Sequence, residues 1–288
     1  MKKIPIRQLT IPPQIQSAAG RFKIRRIEDI VGQTALFHDL HRHNFYFILA
    51  INRASGKHEI DFTEHRVTDN TIFFLRPGQV HQLELSAGST GYLVEFDQEF
   101  YPAKEGISGQ RLRKASNKNV CRFDADRFNR LCAQLSTMYE EYTGRLEGYH
   151  DIIKFTLDIF CIEYMRQSVN DNTAITVQTY TQERFEDFLE LLEKHISKYK
   201  QVSDYVALMN LSAYQLNEIT KSSIGKTASE LITEHIILEA KRYLLATSNQ
   251  VKEIADLIGY EDVSYFIRFF KKHTGYSPEA FRTSIKQV

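Results

Sequence analysis

The C-terminal part of the chain carries the same short plan twice, and no other feature limits the fold as sharply. In the first copy, Ser203 can cap a short helix from Asp204 to about Met209, with Val206 and Leu208 as its apolar positions. A tight turn at Asn210-Leu211 follows. Ser212-Ala213-Tyr214-Gln215 then has the S-x-x-Q form of a capping box and opens a second helix, about 212–223. Leu216 and Ile219 face its core, while Tyr214, Asn217, Glu218 and Lys221, spaced i, i+3, i+4, i+7, share the opposite stripe. In the second copy, Asn249 can cap a helix with Val251, Ile254, Ala255 and Ile258 on its inner face, and Gly259 supplies a left-handed stop. Asp262 caps the next helix, about 262–273, anchored by Phe266, Phe269 and Phe270, with Ser264, Ile267, Arg268 and Lys271 along its outer stripe. A short helix, a tight turn and a second helix with an outward polar row is the helix-turn-helix plan, in which the second helix enters the major groove.

The segment between the copies supplies a geometric check. Ser229 to Thr247 reads as one helix, with Leu231, Ile232, Ile236, Ile237, Ala240, Leu244 and Leu245 along its buried side. At about 1.5 Å per residue it forms a rod of roughly 28 Å. Successive major grooves on one face of a duplex lie about 34 Å apart. Such a rod can hold two recognition helices in adjacent grooves of one duplex.

The rest of the chain follows other periods. Between residues 20 and 100, runs rich in aromatic and β-branched residues (Phe45–Ile51, Thr71–Leu75, Tyr92–Phe96) alternate with turn signals such as Arg53-Ala54-Ser55-Gly56 and Arg76-Pro77-Gly78. That pattern predicts an antiparallel barrel or sandwich. From Asp124 the period becomes helical: Phe128, Leu131, Leu135, Met138 and Tyr142 form one apolar row and Ile152, Phe155, Ile159 and Ile162 another. Gly144 and Gly148 bracket the turn between them, so residues 124–143 and 149–166 read as a helical hairpin. A polar stretch without periodicity follows. The predicted architecture is α+β: an antiparallel β-barrel with a helical hairpin in residues 1–167, a linker at 168–182, and an all-α domain with two helix-turn-helix units in 183–288.

Composition narrows the function. The 288 residues are 42% hydrophobic and 25% charged, the profile of a globular protein with two ordinary domains. No apolar stretch approaches the roughly 18–20 residues needed to cross a bilayer, and the basic start lacks the apolar core of a secretory signal. Cys121, Cys132 and Cys161 are odd in number and widely spaced, which argues against a disulfide framework and fits the cytoplasm. A net charge of +1 excludes a generic polyanion binder, and residues 183–288 hold 14 Lys and Arg against 15 Asp and Glu. A nucleic-acid reading therefore rests on where the basic groups sit.

Residues 183–288 resemble the DNA-binding domain of the AraC/XylS family of bacterial transcription regulators. The densest match runs from Val251-Lys252-Glu253-Ile254-Ala255 through Gly259-Tyr260-Glu261-Asp262-Val263-Ser264-Tyr265-Phe266-Ile267-Arg268-Phe269-Phe270-Lys271-Lys272 to Gly275-Tyr276-Ser277-Pro278 and Phe281-Arg282. Tyr260 stands where the family usually has Phe, and Glu218 places an acid where basic or amide groups are common. The resemblance implies that both outer stripes face DNA. Arg268 is then the best base reader, able to donate two bonds to guanine, and Asn217 can pair with adenine. Lys221, Lys271 and Lys272 suit phosphates, Ile267 a thymine methyl, and Glu218 either accepts from cytosine or avoids phosphate.

His41-Arg42-His43 through Arg76-Pro77-Gly78-Gln79-Val80-His81 resembles the cupin barrel that serves as regulatory domain in many such proteins. Metal-binding cupins follow H-x-H with a Glu and place another His near the second motif. Here His41, His43 and His81 fill the histidine positions, but Phe47 and Ile48 stand where the Glu would be. Two readings stay open: three imidazoles holding a divalent metal, as in a cupin-type metalloenzyme with an appended regulatory domain, or histidines lining the barrel with no metal. The expectation is no metal, no cofactor and no catalysis. His41, His43, Tyr46, His81 and Tyr92 are candidate contacts for a small-molecule effector. Expected partners are double-stranded DNA, RNA polymerase, that effector and a second copy of the chain through helices 124–166, with no membrane.

Overall fold

The computed structural model describes residues 6–7, 9, 21–32, 34–101, 106–168 and 179–284, within which the chain divides into an N-terminal and a C-terminal unit. Residues 169–178 of the expected linker lie outside the described residues. The helix that follows begins at Thr179, inside the stretch read as linker.

Among its described residues the N-terminal unit has ten strands: β1 (Ile6–Arg7), β2 (Phe22–Arg26), β3 (Leu36–His43), β4 (Tyr46–Arg53), β5 (Gly56–Ile60), β6 (Thr63–Val67), β7 (Thr71–Leu75), β8 (Val80–Leu85), β9 (Thr90–Phe96) and β10 (Val120–Arg122). They form two sheets, ordered β1-β3-β8-β5-β6 and β10-β7-β4-β9-β2, antiparallel except for the β1–β3 pair. Because side chains alternate across a strand, the second sheet has two different apolar faces. Phe45, Phe47, Leu49, Ile51, Phe73, Leu75 and Leu93 meet Ile60, Val67, Leu83 and Leu85 of the first sheet and fill the barrel interior. Tyr46, Ile48, Ala50, Ile72, Phe74, Val94 and Phe96 face the other way, onto helices. These strands are hence continuous apolar runs rather than alternating ones.

Four helices among the described residues belong to this unit: α1 (Glu28–Val31), α2 (Gly106–Ser116), α3 (Ala125–Gly144) and α4 (Tyr149–Ser168). The Asp124 side chain accepts from Arg127 N and starts α3. The α3 row Phe128, Leu131, Leu135 and Met138 is buried as the periodicity predicts, against the outer face of the second sheet. For α4 the row read from the periodicity is not the one that packs on the sheet. Ile153, Leu157, Phe160, Cys161 and Tyr164 are buried, whereas Ile152, Phe155 and Ile159 point outward. The helix is apolar on two faces, and only one can meet the sheet.

The C-terminal unit is all helical: α5 (Thr179–His195), α6 (Val202–Met209), α7 (Ala213–Ile224), α8 (Ala228–Ala246), α9 (Val251–Ile258), α10 (Val263–Thr274) and α11 (Pro278–Ser284). Two starts differ from the expected ones. The Asp204 carboxylate accepts the Gln201 N–H and the Glu253 carboxylate accepts the Gln250 N–H, so the caps are Gln201 and Gln250 rather than Ser203 and Asn249. On α6 the inward residues are Tyr205 and Met209, and Leu208 is exposed. The turns fall where predicted. Asn210 and Gly259 both take the left-handed conformation, and Ser212 and Asp262 cap α7 and α10 through their side chains. Gly259 has a second reason to lack a side chain: an added Cβ would stand 1.6 Å from the Ser197 carbonyl oxygen. The connector α8 runs 19 residues, with its predicted apolar row buried.

Candidate functional site

In each helix-turn-helix unit the second helix buries one stripe and exposes the other. Leu216 and Ile219 of α7, and Phe266 and Phe270 of α10, are buried. On the opposite side of α7, Tyr214 is 74% exposed, and Glu218 and Lys221 are exposed with it. On α10, Ser264, Arg268, Lys271 and Lys272 are exposed and Ile267 is half-buried. Among the described residues the side chains of Arg268, Lys271 and Lys272 make no hydrogen bond or ion pair. Lys271 and Lys272 lie in the last turn of α10, where positive charge also suits the helix dipole.

Other basic residues of this unit are committed internally. The buried Arg282 donates through Nε to the Leu244 carbonyl at 2.9 Å and through Nη2 to the Asn249 carbonyl at 2.6 Å. Arg184 donates to the Met209 carbonyl, and Arg242 pairs with Glu239. The nearly neutral balance of this part of the chain therefore conceals a division between structural cations and exposed ones.

Asn217 departs from its expected role. It is half-buried, and its Oδ1 accepts the Ala228 N–H at 3.0 Å across the α7–α8 junction. Reading adenine needs that oxygen to accept from the base, so the residue serves as a clasp between helices. Tyr265, exposed on the first turn of α10 with its ring stacked 5.9 Å from that of Tyr260, lies beside the predicted stripe and was absent from it.

The barrel interior gathers histidines from three strands. His41 and His43 come from β3, His81 from β8 and His58 from β5, and all four are buried. His41 is paired directly with His81 across the strands. A register shift between His38 and His41 makes this possible. The extra residue of that bulge reverses the alternation, so that odd-numbered positions turn inward for the rest of β3. His43 Nε2 lies 2.6 Å from His81 Nε2, His81 Nδ1 lies 2.8 Å from His58 Nε2, and His41 Nδ1 lies 2.6 Å from the Asp39 carbonyl. One ring nitrogen from each of His41, His43 and His81 falls within 4.8 Å of the others, the spacing of a metal-ligand set. Burial drives all four pKa values down: His41 to about 4, His43 to about 2, His58 to about 3, and His81 well below the usual imidazole range. All four rings are neutral near pH 7.

Two of the five expected effector contacts are elsewhere. Tyr46 packs on the helix-facing side of the second sheet, with its ring stacked 5.2 Å from Phe96. Tyr92 approaches Tyr139 of α3, ring centroids 6.2 Å apart. Both occupy even positions of strands whose odd positions face the barrel, so the period of two takes them away from the histidines. His58, which has no motif spacing in the sequence, joins the cluster instead.

Comparison with known proteins covers both units. Residues 30–144 match the family described as AraC-like ligand binding domain, and residues 205–284 match a helix-turn-helix domain. An uncharacterized HTH-type transcriptional regulator of Bacillus subtilis is 23% identical over 259 residues, 86% of this chain and 79% of that protein. The HTH-type transcriptional activator RhaS of Yersinia pestis is 20% identical over 264 residues, 85% of this chain and 89% of that protein. The raffinose operon transcriptional regulatory protein of Pediococcus pentosaceus is 29% identical over 112 residues, 39% of this chain and 40% of its own length.

Proposed function

Because the chain belongs to the AraC-type transcription regulators, joining an AraC-like ligand-binding domain to a helix-turn-helix domain, we propose that α7 and α10 enter successive major grooves of one operator while the barrel adjusts binding to an effector. The observation that carries this reading is the division of labour on α10. Phe266 and Phe270 anchor the helix inward, and Arg268, Lys271 and Lys272 stand outward without partners among the described residues. A guanidinium free of internal bonds is what bidentate recognition of guanine requires. On α7, Tyr214 and Lys221 are the corresponding outward groups, with Glu218 turned toward bases rather than phosphates. The 19-residue α8, about 28 Å long, is of the same scale as the roughly 34 Å between successive grooves, which supports this reading.

Selection of bound genomic fragments followed by footprinting tests the proposal. The expected pattern is two protected major-groove segments about one helical turn apart, roughly 10–10.5 base pairs. A single protected segment on every selected fragment counts against it.

The outward row of α4 gives the second copy of the chain a place to bind. Phe155 is 68%, Ile159 47% and Ile152 40% exposed, and together they make a ladder of apolar side chains along one side of a 20-residue helix. In this reading two α4 helices pack across a two-fold axis. Among the described residues no helix is long and apolar enough to cross a membrane, so this row is not part of a span. The metalloenzyme alternative draws no support from relatives, which are transcription regulators along the length of the chain.

A further inference from the structure

Nothing in DNA recognition calls for four neutral imidazoles in the interior of a barrel. Buried polar groups cost stability unless they are paired, and leucine or phenylalanine would fill the same space without that cost. Here the pairing is incomplete: His41 Nε2, His43 Nδ1 and His58 Nδ1 are buried with no hydrogen-bond partner among the described residues.

The tautomers explain what the cluster is arranged to do. The Asp39 carbonyl accepts the Nδ1–H of His41, so the buried Nε2 of that ring carries a lone pair. When His81 donates its Nδ1–H to His58 Nε2, its own Nε2 is a lone pair as well, pointing at His43 Nε2. A ring nitrogen held by donating its other N–H to a fixed acceptor is the usual arrangement of a metal-binding histidine. His43 Nε2–H donates to the His81 lone pair at 2.6 Å, and a cation bound there takes the place of the shared proton. Phe47, stacked on His43 at 5.3 Å, occupies the side where an acidic fourth ligand would stand.

We infer that His41, His43 and His81 bind one divalent transition-metal ion, with His58 orienting His81 from behind, and that this ion is the effector of the barrel. The inference rests on the regulator reading above. Three neutral imidazoles without a carboxylate select borderline ions such as Zn2+, Co2+ or Ni2+ over Mg2+ and Ca2+, which demand oxygen ligands. A tetrahedral ion about 2.0–2.1 Å from each nitrogen sets its ligands roughly 3.3 Å apart. The His43–His81 pair, in contact at 2.6 Å, must therefore open by a fraction of an ångström on binding. Three protein ligands leave one coordination position free.

The test uses full-length protein stripped of metal with a chelator and titrated with Co2+. The expected result is the visible absorption of tetrahedral cobalt, saturating at one ion per chain and displaced by Zn2+. His81→Ala and His41→Gln abolish the signal, the second at little cost to packing, with thermal melts confirming that each variant folds. His58→Ala keeps the stoichiometry and weakens affinity about 10–100-fold. Affinity for a selected operator is then compared with and without Zn2+, and a change of about fivefold or more is expected. No stoichiometric cobalt uptake, or uptake unchanged in His41→Gln and His81→Ala, overturns the inference. Uptake at the histidines with operator affinity unchanged overturns the effector role. If the protein binds cobalt at these residues but recognises no DNA sequence, the regulator reading fails and the metal site stands.

Discussion

The side-chain oxygen of Asn217 accepts the backbone N–H of Ala228 at 3.0 Å, tying the middle of α7 to the first turn of α8. That N–H is one of the orphan donors at a helix start, and Thr227 and Glu230 satisfy their own neighbours there as a capping box. Asn217→Ala is accordingly expected to destabilise the C-terminal unit by about 1–2 kcal/mol. Its effect on DNA should be equal for operator and random sequence, read by binding isotherms beside a thermal melt. Loss confined to one base pair of the operator would restore the residue to base reading.

Arg268 and Lys271 should separate in the opposite sense. Arg268→Ala is expected to weaken operator binding by about 1–3 kcal/mol and to relax preference at one base pair. Lys271→Ala should weaken operator and random DNA alike and lower the salt slope by about one. The check is a binding series across salt concentrations on both DNAs.

Along α4 two neighbouring rows have different fates. Phe155→Asp changes an exposed position and should leave the melting temperature nearly unchanged while shifting the protein to monomer in sedimentation velocity. Leu157→Asp places a charge in the fully buried row and is expected to prevent folding of the N-terminal unit. A dimer that survives Phe155→Asp and Ile159→Asp together would remove α4 from the interface.

Acid should loosen the N-terminal unit through Asp97. Burial pushes its carboxyl up, but hydrogen bonds from the Arg21 side chain at 2.8 Å, Arg21 N at 3.1 Å and Phe100 N at 2.8 Å prevail and hold it below the ordinary value. A carboxyl depressed in the folded state contributes stability above its unfolded pKa, about 3.9, and loses it as pH falls through the folded value. Thermal melts from pH 5 downward should show this loss, and it should be smaller in Asp97→Asn.

The helix-turn-helix plan was legible because its signals are local. Ser212 with Gln215, Gly259 and Asp262 are cap chemistry within four residues of the elements they bound, and the structure keeps each of them. Where two neighbouring residues can both cap, as Gln201 and Ser203 or Gln250 and Asn249, the acid three positions into the helix decides, and it favours the glutamines. The barrel was harder because its strands are apolar on both faces, so periodicity could not say which side of β4 holds the histidines. Tyr46 was lost to that ambiguity. His58 was invisible for another reason: it reaches His81 across a strand pair, at a separation that no spacing rule encodes. For α4, periodicity found a real apolar row but could not say whether protein or solvent would cover it.

The bulge between His38 and His41 has a consequence for how this barrel can change over generations. Substitutions around the imidazoles alter affinity by degrees. Removing one residue at Asp39 or Leu40 would instead abolish the bulge while keeping His38 opposite Leu83 and His41 opposite His81, so that strict alternation from Leu36 onward still turns both β3 imidazoles inward. A three-nucleotide deletion at the bulge is thus a change the cluster can absorb, whereas a one-residue slip of β3 against β8 would turn both imidazoles outward in a single event.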